Sequence, residues 1–369
     1  MLADLLADTE ELVCCESPST DPAALARSAD VVARVGTRRL GAEPERLGVH
    51  LRWRLGDGPG RVLLLGHHDT VWPLGSLATH PYTVDDGVMR GPGCFDMKAG
   101  LALAFQVAAG RSGVTLLVTG DEEIGSPGSR ALVEEEARAA GAALVLEASA
   151  PGGALKTERK GVSVYDVEVT GRAAHAGLEP ERGHNATVEL AHQVLAIEAL
   201  ADPVLGTTVT PTLMSAGTAR NTVSAKGSVA VDVRVRTAAE QERVDAGMRA
   251  LRPVLYGTRV DVRGGANRPP LAASASVALF TRAARIAAEL GHPPLAGVAV
   301  GGGSDGNLTA GVGTPTLDGL GAVGGGAHAD DEHVLVAELE PRAALLSALL
   351  AELLAVTTKP ASSAGSPRP

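Results

Sequence analysis

The first third of the chain alternates short apolar runs with amphipathic stretches. Three runs rich in Val and Leu end in polar residues: RVLLLGHH, GVTLLVTGDEE and AALVLEAS. Continuous apolar runs of this length are typical of parallel strands that are buried on both faces. The stretches MKAGLALAFQVAAG and GSRALVEEEARAAG have helical spacing and end at Gly, which is a common helix stop. Together these patterns predict an α/β domain.

From Gly161 the pattern changes to alternating strands, as in VSVYDVEVTG, in which one face is solvated. Helical spacing follows at about residues 184–200, and then come the strands TTVTPTLMSAG and GSVAVDVRVR. A second stretch of helical spacing at about residues 238–251 precedes the strand TRVDVRGG. The order β-α-β-β-α-β is that of a ferredoxin-like module. The predicted fold class is therefore α/β: a mixed-sheet α/β domain with an inserted ferredoxin-like β-α-β-β-α-β module.

After the inserted module the chain returns to helices and strand-to-loop segments like those of the first third. The predicted boundaries are 1–160 for the first part of the α/β domain, 161–268 for the inserted module and 269–357 for the second part. The segment 358–369 is rich in Pro and Ser, a composition that predicts a disordered tail.

Composition removes several classes of function. Aromatic residues make up 2% of the chain and the net charge is −10, so base stacking and attraction to phosphate are both disfavoured. No apolar run is long enough to span a bilayer, and the first eleven residues carry four acids and no basic residue. The chain has only three Cys. We therefore predict a cytoplasmic protein that binds neither nucleic acid nor a membrane.

Candidate catalytic side chains cluster where the predicted strands end, which in an open α/β sheet is the edge where ligands bind. Imidazoles and carboxylates recur there, in the segments GHHDTV, GPGCFDMKAG, TGDEEIGS, LEAS and GGGAHADDEHV. Each alone has an ordinary structural alternative; Asp96, for example, stands just before a helix and could simply cap it. Two His and three carboxylates together form an oxygen-rich shell that suits two Zn²⁺ sharing a bridging carboxylate.

These segments, together with GRAAHAG, resemble in order and spacing the motifs of the co-catalytic two-zinc peptidase and deacylase family. That family includes glutamate carboxypeptidase, aminoacylase, acetylornithine deacetylase and succinyl-diaminopimelate desuccinylase. The residues of the motifs are most similar to those of glutamate carboxypeptidase. The resemblance implies two Zn²⁺ per subunit, with Co²⁺ or Mn²⁺ as alternatives. It also implies that the inserted module is a lid and dimerisation domain and that the protein is a homodimer.

The resemblance assigns a role to each residue of the cluster. His67 and Glu147 would hold one zinc ion, Glu123 and His328 would hold the other, and Asp96 would bridge the two. The family's Asp before Met often precedes a cis peptide bond, so a cis bond is expected between Asp96 and Met97.

Two further acids would act on this centre without binding metal. Asp69 would orient His67, and Glu122 would be the general base that takes a proton from water and passes it to the leaving amine.

Residues of the inserted module would complete the site. The resemblance implies that His175 reaches the partner subunit's site and helps to stabilise the developing oxyanion. The motif here has Ala before this His where the family usually has Ser. Arg220 and Asn221 match a segment that lies near the substrate in the family. Arg263 matches a carboxylate-binding Arg, with Arg268 as the alternative at that position.

The resulting hypothesis is an amidohydrolase, and within that class a carboxypeptidase that releases a C-terminal amino acid such as glutamate from a small peptide. An N-acyl-amino-acid deacylase of the acetylornithine deacetylase or succinyl-diaminopimelate desuccinylase type is the alternative, because both reactions hydrolyse an amide bond. A binding protein without turnover and a single-metal phosphoesterase are disfavoured. The first would lack a ligand or the base, and the second would need basic residues beside the metal.

Overall fold

The structure is a computed structural model that describes residues 1–56 and 62–356. The chain divides into two compact units. The first contains Met1–Glu158, Ala273–Val300 and the chain from Ser304 onward, and the second contains Arg159–Ala272 and Gly301–Gly303. The predicted disordered tail, 358–369, lies outside the described residues.

A six-stranded mixed sheet forms the centre of the first unit. In spatial order its strands are β1 (Glu45–Leu47), β2 (His50–Leu55), β6 (Val114–Thr119), β3 (Val62–His67), β7 (Ala142–Val145) and β14 (Thr316–Leu317). The strands β6, β3, β7 and β14 run parallel, as the apolar runs predict, whereas β1 and β2 add an antiparallel edge. The prediction of a mixed α/β architecture is thus confirmed.

Both faces of this sheet are covered, which explains its continuous apolar strands. Along β3, Leu64 packs into a core on one face, and Leu63 and Leu65 pack into a second core on the other. Leu64 is in the same core as Leu103 of the buried helix Ala99–Ala108. The helices of the first unit are α1 (Leu2–Val13), α2 (Pro22–Leu40), α3 (Ala99–Ala108), α4 (Arg130–Ala139), α7 (Ala273–Glu289), α8 (Asp305–Gly311) and α9 (Leu339–Val356).

Among the described residues, short strands outside the central sheet form two small additional sheets. One small sheet has the order β15-β16-β5-β4, and a second pairs β13 with β8. Their bounds are β4 (Thr83–Asp85), β5 (Val88–Arg90), β8 (Leu155–Arg159), β13 (Gly297–Val300), β15 (Gly324–Gly325) and β16 (His333–Leu335). Strands of two or three residues, as in β4, β5, β15 and β16, carry too little periodicity to be recognised in sequence.

The second unit contains the predicted β-α-β-β-α-β order. Its elements are β9 (Gly161–Thr170), α5 (Ala186–Glu198), β10 (Thr208–Ala216), β11 (Lys226–Val235), α6 (Ala238–Arg249) and β12 (Arg259–Arg268). The four strands pair antiparallel in the order β10-β11-β9-β12. Tyr165, Val167 and Val169 of β9 are buried in one core with apolar residues of α5 and α6, whereas Val164 on the opposite face is exposed.

Candidate metal centre

The parallel strands bring three distant segments to one edge of the sheet. Strand β3 ends at His67, and Glu147 follows the end of β7 by two residues. Glu122 lies in a short turn that begins three residues after β6 ends at Thr119. The carboxyl ends of parallel neighbours meet at the same edge, so these side chains converge. His328 comes from the loop between β15 and β16 and has a left-handed backbone (φ +63°).

The ring of His67 lies between two carboxylates. Its Nε2 atom is 3.4 Å from Oδ1 of Asp96 and 3.4 Å from Oε1 of Glu147. His67 and Glu147 are buried, and Asp96 is partly buried. The peptide bond after Asp96 is cis, as the resemblance implies.

A second imidazole faces the same central carboxylate from the other side. Nε2 of His328 lies 3.2 Å from Glu123 and 3.5 Å from Oδ2 of Asp96. Each oxygen of Asp96 therefore faces a different His, which is the arrangement expected of a carboxylate that bridges two cations.

Asp69 connects the His67 segment to the segment that carries the two adjacent Glu residues. Nδ1 of His67 is 3.0 Å from the main-chain carbonyl oxygen of Asp69 and 3.4 Å from its carboxylate. The carboxylate itself accepts hydrogen bonds from the backbone N–H groups of Glu122 (3.2 Å) and Glu123 (3.1 Å) and from the hydroxyl of Ser19 (2.7 Å). When Nδ1 carries the proton and donates it to the main-chain carbonyl oxygen or to the carboxylate of Asp69, the lone pair of Nε2 is available to a metal.

The raised pKa values of the two imidazoles indicate that the cluster favours positive charge. Burial works to lower the pKa of His67, but the neighbouring carboxylates of Asp69, Asp96 and Glu147 outweigh it and raise that pKa well above its usual value. Hydrogen bonds to Asp96 and Glu123 raise the pKa of His328 to about 10. Without a cation, the imidazoles themselves would balance the carboxylates.

Two buried atoms indicate that the cluster fits a metal. Among the residues that the structure describes, Nε2 of His67 and Oδ1 of Asp96 have no hydrogen-bond partner, although buried polar atoms are normally paired. Both face the same space, 3.4 Å apart. A divalent cation would satisfy both atoms, and an imidazole with carboxylates is a donor set that Zn²⁺ accepts.

Potential ligand atoms form two groups that share His67. In one group, atoms of His67, Asp96 and Glu123 lie within 4.8 Å of one another, and in the other, atoms of His67, Glu122 and Glu147 do. Glu122 is therefore as close to the centre as the expected ligands. This position suits a base that acts on a molecule held by the cluster.

The predicted residues of the inserted module lie in the second unit, where some of them are neighbours. The loops that carry His175 and Asn221 are joined by hydrogen bonds, including one from the backbone N–H of Ala176 to the carbonyl oxygen of Asn221 (2.9 Å). Arg220 precedes Asn221 in an exposed turn. Arg263 lies on β12 and is exposed, and its guanidinium contacts Glu168 at 3.1 Å.

Sequence reasoning missed two groups that contact this centre. Ser19 bonds to Asp69 across 50 residues of chain, and no local pattern indicates it. Glu332 accepts hydrogen bonds from the backbone of the Asp96 segment. Its position four residues after His328 in the motif GGGAHADDEHV is the only signal in the sequence that could have drawn attention to it.

Comparison with known proteins shows the family to which the chain belongs. Residues 63–352, well over half of the chain, match Peptidase family M20/M25/M40. The chain belongs to the M20 family. One M20 relative, carboxypeptidase G2 from Pseudomonas sp. (strain RS-16), is 32% identical over 314 residues, which cover 81% of this chain and 75% of the relative. Succinyl-diaminopimelate desuccinylase from Xanthomonas euvesicatoria pv. vesicatoria (strain 85-10) is 29% identical over 95% of this chain and 100% of its own length.

Solved M20 structures share the fold. The M20 family metallo-carboxypeptidase Sso-CP2 from Sulfolobus solfataricus aligns with a TM-score of 0.75 at 14% identity, covering 94% of this chain and 98% of its own. Aminopeptidase PepT from Bacillus cereus ATCC 10987 aligns with a TM-score of 0.73 at 23% identity, covering 96% and 99%. The chain is thus a hydrolase of the M20 metallopeptidases, a family that uses divalent metal. Among its described residues, no helix is both long and apolar enough to cross a membrane.

Proposed function

We propose that this M20 hydrolase is a two-zinc carboxypeptidase that releases a C-terminal amino acid such as glutamate from a small peptide. The observation that carries the metal assignment is a pair of buried atoms, Nε2 of His67 and Oδ1 of Asp96, that have no hydrogen-bond partner within residues 1–56 and 62–356. The preference for a carboxypeptidase rests on the 32% identity to carboxypeptidase G2 over 81% of the chain.

His67 and Glu147 would hold one ion, Glu123 and His328 would hold the other, and Asp96 would bridge them. The distances of 3.2–3.5 Å between their facing atoms support this division. When bound, two such ions acidify a water molecule and polarise the scissile carbonyl group. Co²⁺ and Mn²⁺ are alternatives to zinc, because the same nitrogen and oxygen donors suit them.

Glu122 would be the general base. Its carboxylate would accept a proton from water and deliver it to the nitrogen of the leaving amine. Burial keeps this carboxylate away from bulk solvent, and the hydrogen bond from its backbone N–H to Asp69 fixes the turn that carries it. Asp69 also holds His67 in the orientation that presents Nε2 to the metal.

In this proposal the second unit supplies substrate recognition. Arg220 and Asn221 would bind the substrate carboxylate, for which the planar guanidinium is suited. His175 lies on a loop that is hydrogen-bonded to Asn221. In a homodimer it would donate a hydrogen bond to the oxyanion that develops on the substrate in the partner subunit's site. Arg263 is a further candidate for the carboxylate, although its guanidinium contacts Glu168. We further propose a cytoplasmic location, which the small number of Cys supports.

A deacylase of N-acyl amino acids is the second candidate. It is favoured by the similarity to succinyl-diaminopimelate desuccinylase, which extends over the whole length of that relative. Because the bond cleaved is an amide in both reactions, the metal ligands do not distinguish between them.

A substrate panel tests the proposal. Protein loaded with Zn²⁺ or Co²⁺ would be assayed with dipeptides that end in glutamate and with N-acetyl and N-succinyl amino acids. We expect kcat/KM for the glutamate-terminated peptides to exceed that for the N-acyl amino acids by at least about tenfold, a difference of ~1.4 kcal/mol in the activation free energy. The reverse ratio would select the deacylase. Absence of hydrolysis of every amide by metal-loaded protein would overturn both candidates.

A further inference from the structure

Glu332 is a buried carboxylate in the loop that leads from His328 to β16. One of its oxygens, Oε1, accepts hydrogen bonds from the backbone N–H groups of Phe95 (2.9 Å) and Asp96 (3.0 Å). The other, Oε2, accepts from the backbone N–H of Gly93 (2.9 Å) and from the indole Nε1–H of Trp72 (2.7 Å). A single side chain thus binds three of the four N–H groups of the segment 93–96.

The number and direction of these bonds match an ionised carboxylate. Such a group accepts at about four sites and donates at none, and here all four bonds come from donors. Hydrogen bonds to a charged acceptor are shorter and stronger than those between neutral groups, so the set holds the segment firmly. Close packing adds to this restraint, because a Cβ atom on Gly93 would lie 2.4 Å from Cγ2 of Thr70.

The bonds join two segments that each carry a proposed metal ligand. Asp96 ends the segment that Glu332 binds, and His328 lies four residues before Glu332 in its own loop. The oxygens of Asp96 face His67 at 3.4 Å and His328 at 3.5 Å. A small rotation of the Asp96 backbone would therefore move one of its oxygens away from its imidazole.

We propose that Glu332 is a positioning residue of the metal centre: its carboxylate fixes the backbone of residues 93–96 so that Asp96 can bridge two metal ions. The inference rests on the proposed function, in which Asp96 is the bridging ligand. Glu332 itself does not bind metal in this account, because its two oxygens are already occupied by four donors.

The test compares Glu332→Gln with Asp331→Asn and Trp72→Phe. In Glu332→Gln the NH2 group of the side-chain amide would face two N–H donors from which it cannot accept a hydrogen bond. Asp331→Asn makes the same change of charge on the neighbouring exposed side chain and serves as the control. Trp72→Phe removes only one of the four donors. The metal-free proteins would be titrated with Co²⁺ and Zn²⁺ against a competing chelator, and the Co²⁺ absorption spectrum would be recorded.

We expect Glu332→Gln to bind metal about 10–100-fold more weakly than the wild type and to change the Co²⁺ spectrum. Trp72→Phe should show a smaller loss in the same direction, and Asp331→Asn should match the wild type. Amide hydrogen exchange in a peptide that covers residues 93–96 of the metal-free protein should be faster in Glu332→Gln. A purely structural role would lower the melting temperature without altering metal affinity or the spectrum in folded protein.

The outcomes separate the two proposals. If wild-type protein binds no divalent ion, the proposed function fails. If the wild type binds metal and Glu332→Gln binds it equally tightly with the same spectrum, or shows unchanged exchange at residues 93–96, only the role of Glu332 is overturned. If Glu332→Gln does not fold, Trp72→Phe decides, and unchanged affinity in that variant overturns the inference.

Discussion

Replacing Glu122 by Gln distinguishes a proton acceptor from a metal ligand. Glu122 shares with His67 and Glu147 a group whose potential ligand atoms lie within 4.8 Å of one another, so geometry permits either role. Gln has nearly the same size as Glu but cannot accept a proton. The hydrogen bond from residue 122 to Asp69 is donated by the backbone, so the replacement keeps it.

The expected loss of activity follows from the role of a general base, which contributes about 10²–10⁴-fold to the rate. At ~1.36 kcal/mol for each factor of ten, this raises the activation free energy by ~3–5 kcal/mol. The effect should appear in kcat with little change in KM. If Glu122 is only a base, the metal content should remain that of the wild type.

The neighbouring acid provides a matched comparison. Glu123→Gln makes the same chemical change one residue away, at a carboxylate 3.2 Å from His328, and it should lower metal content and affinity. The assay is steady-state hydrolysis together with metal analysis of dialysed protein, with Glu135→Gln on the exposed face of α4 as a surface control. The assignment is refuted if Glu122→Gln keeps more than about a tenth of wild-type kcat. It is also refuted if this variant loses a bound ion.

Three other variants or titrations test the remaining parts of the structure. Metal binding at pH 7.5 should release about two protons, because His67 and His328 have raised pKa values that favour the protonated form without metal, whereas an imidazole must be neutral to bind a metal. Calorimetry in buffers of different ionisation enthalpy measures this, and no release would contradict it. Gly100→Ala should destabilise the fold by about 1–3 kcal/mol, because its Cβ would lie 2.2 Å from the carbonyl oxygen of Leu146. Gly301→Ala, with open space around it, is the control in urea denaturation. His175→Ala should lower kcat at unchanged metal content, and a fully active monomer in sedimentation would count against a contribution across subunits.

Much of the architecture could be predicted from local patterns. The runs of Val and Leu predict β3, β6 and β7 because a strand buried on both faces must be apolar throughout. The antiparallel strands β1 and β2 were not predicted, because β1 has three mostly exposed residues and β2 contains two Arg. The inserted module was recognisable from its alternation, which buries one face and solvates the other.

By itself the sequence determined the buried parallel strands, the main helices and which side chains follow the strand ends, since these follow from short-range periodicity and from where each strand ends. Tertiary structure alone decided how those side chains meet. Asp96 presents one oxygen to His67 and the other to His328, and Glu332 holds the Asp96 backbone across 236 residues of chain. Such contacts depend on the packing of loops that are remote in sequence, and a local pattern carries no information about them.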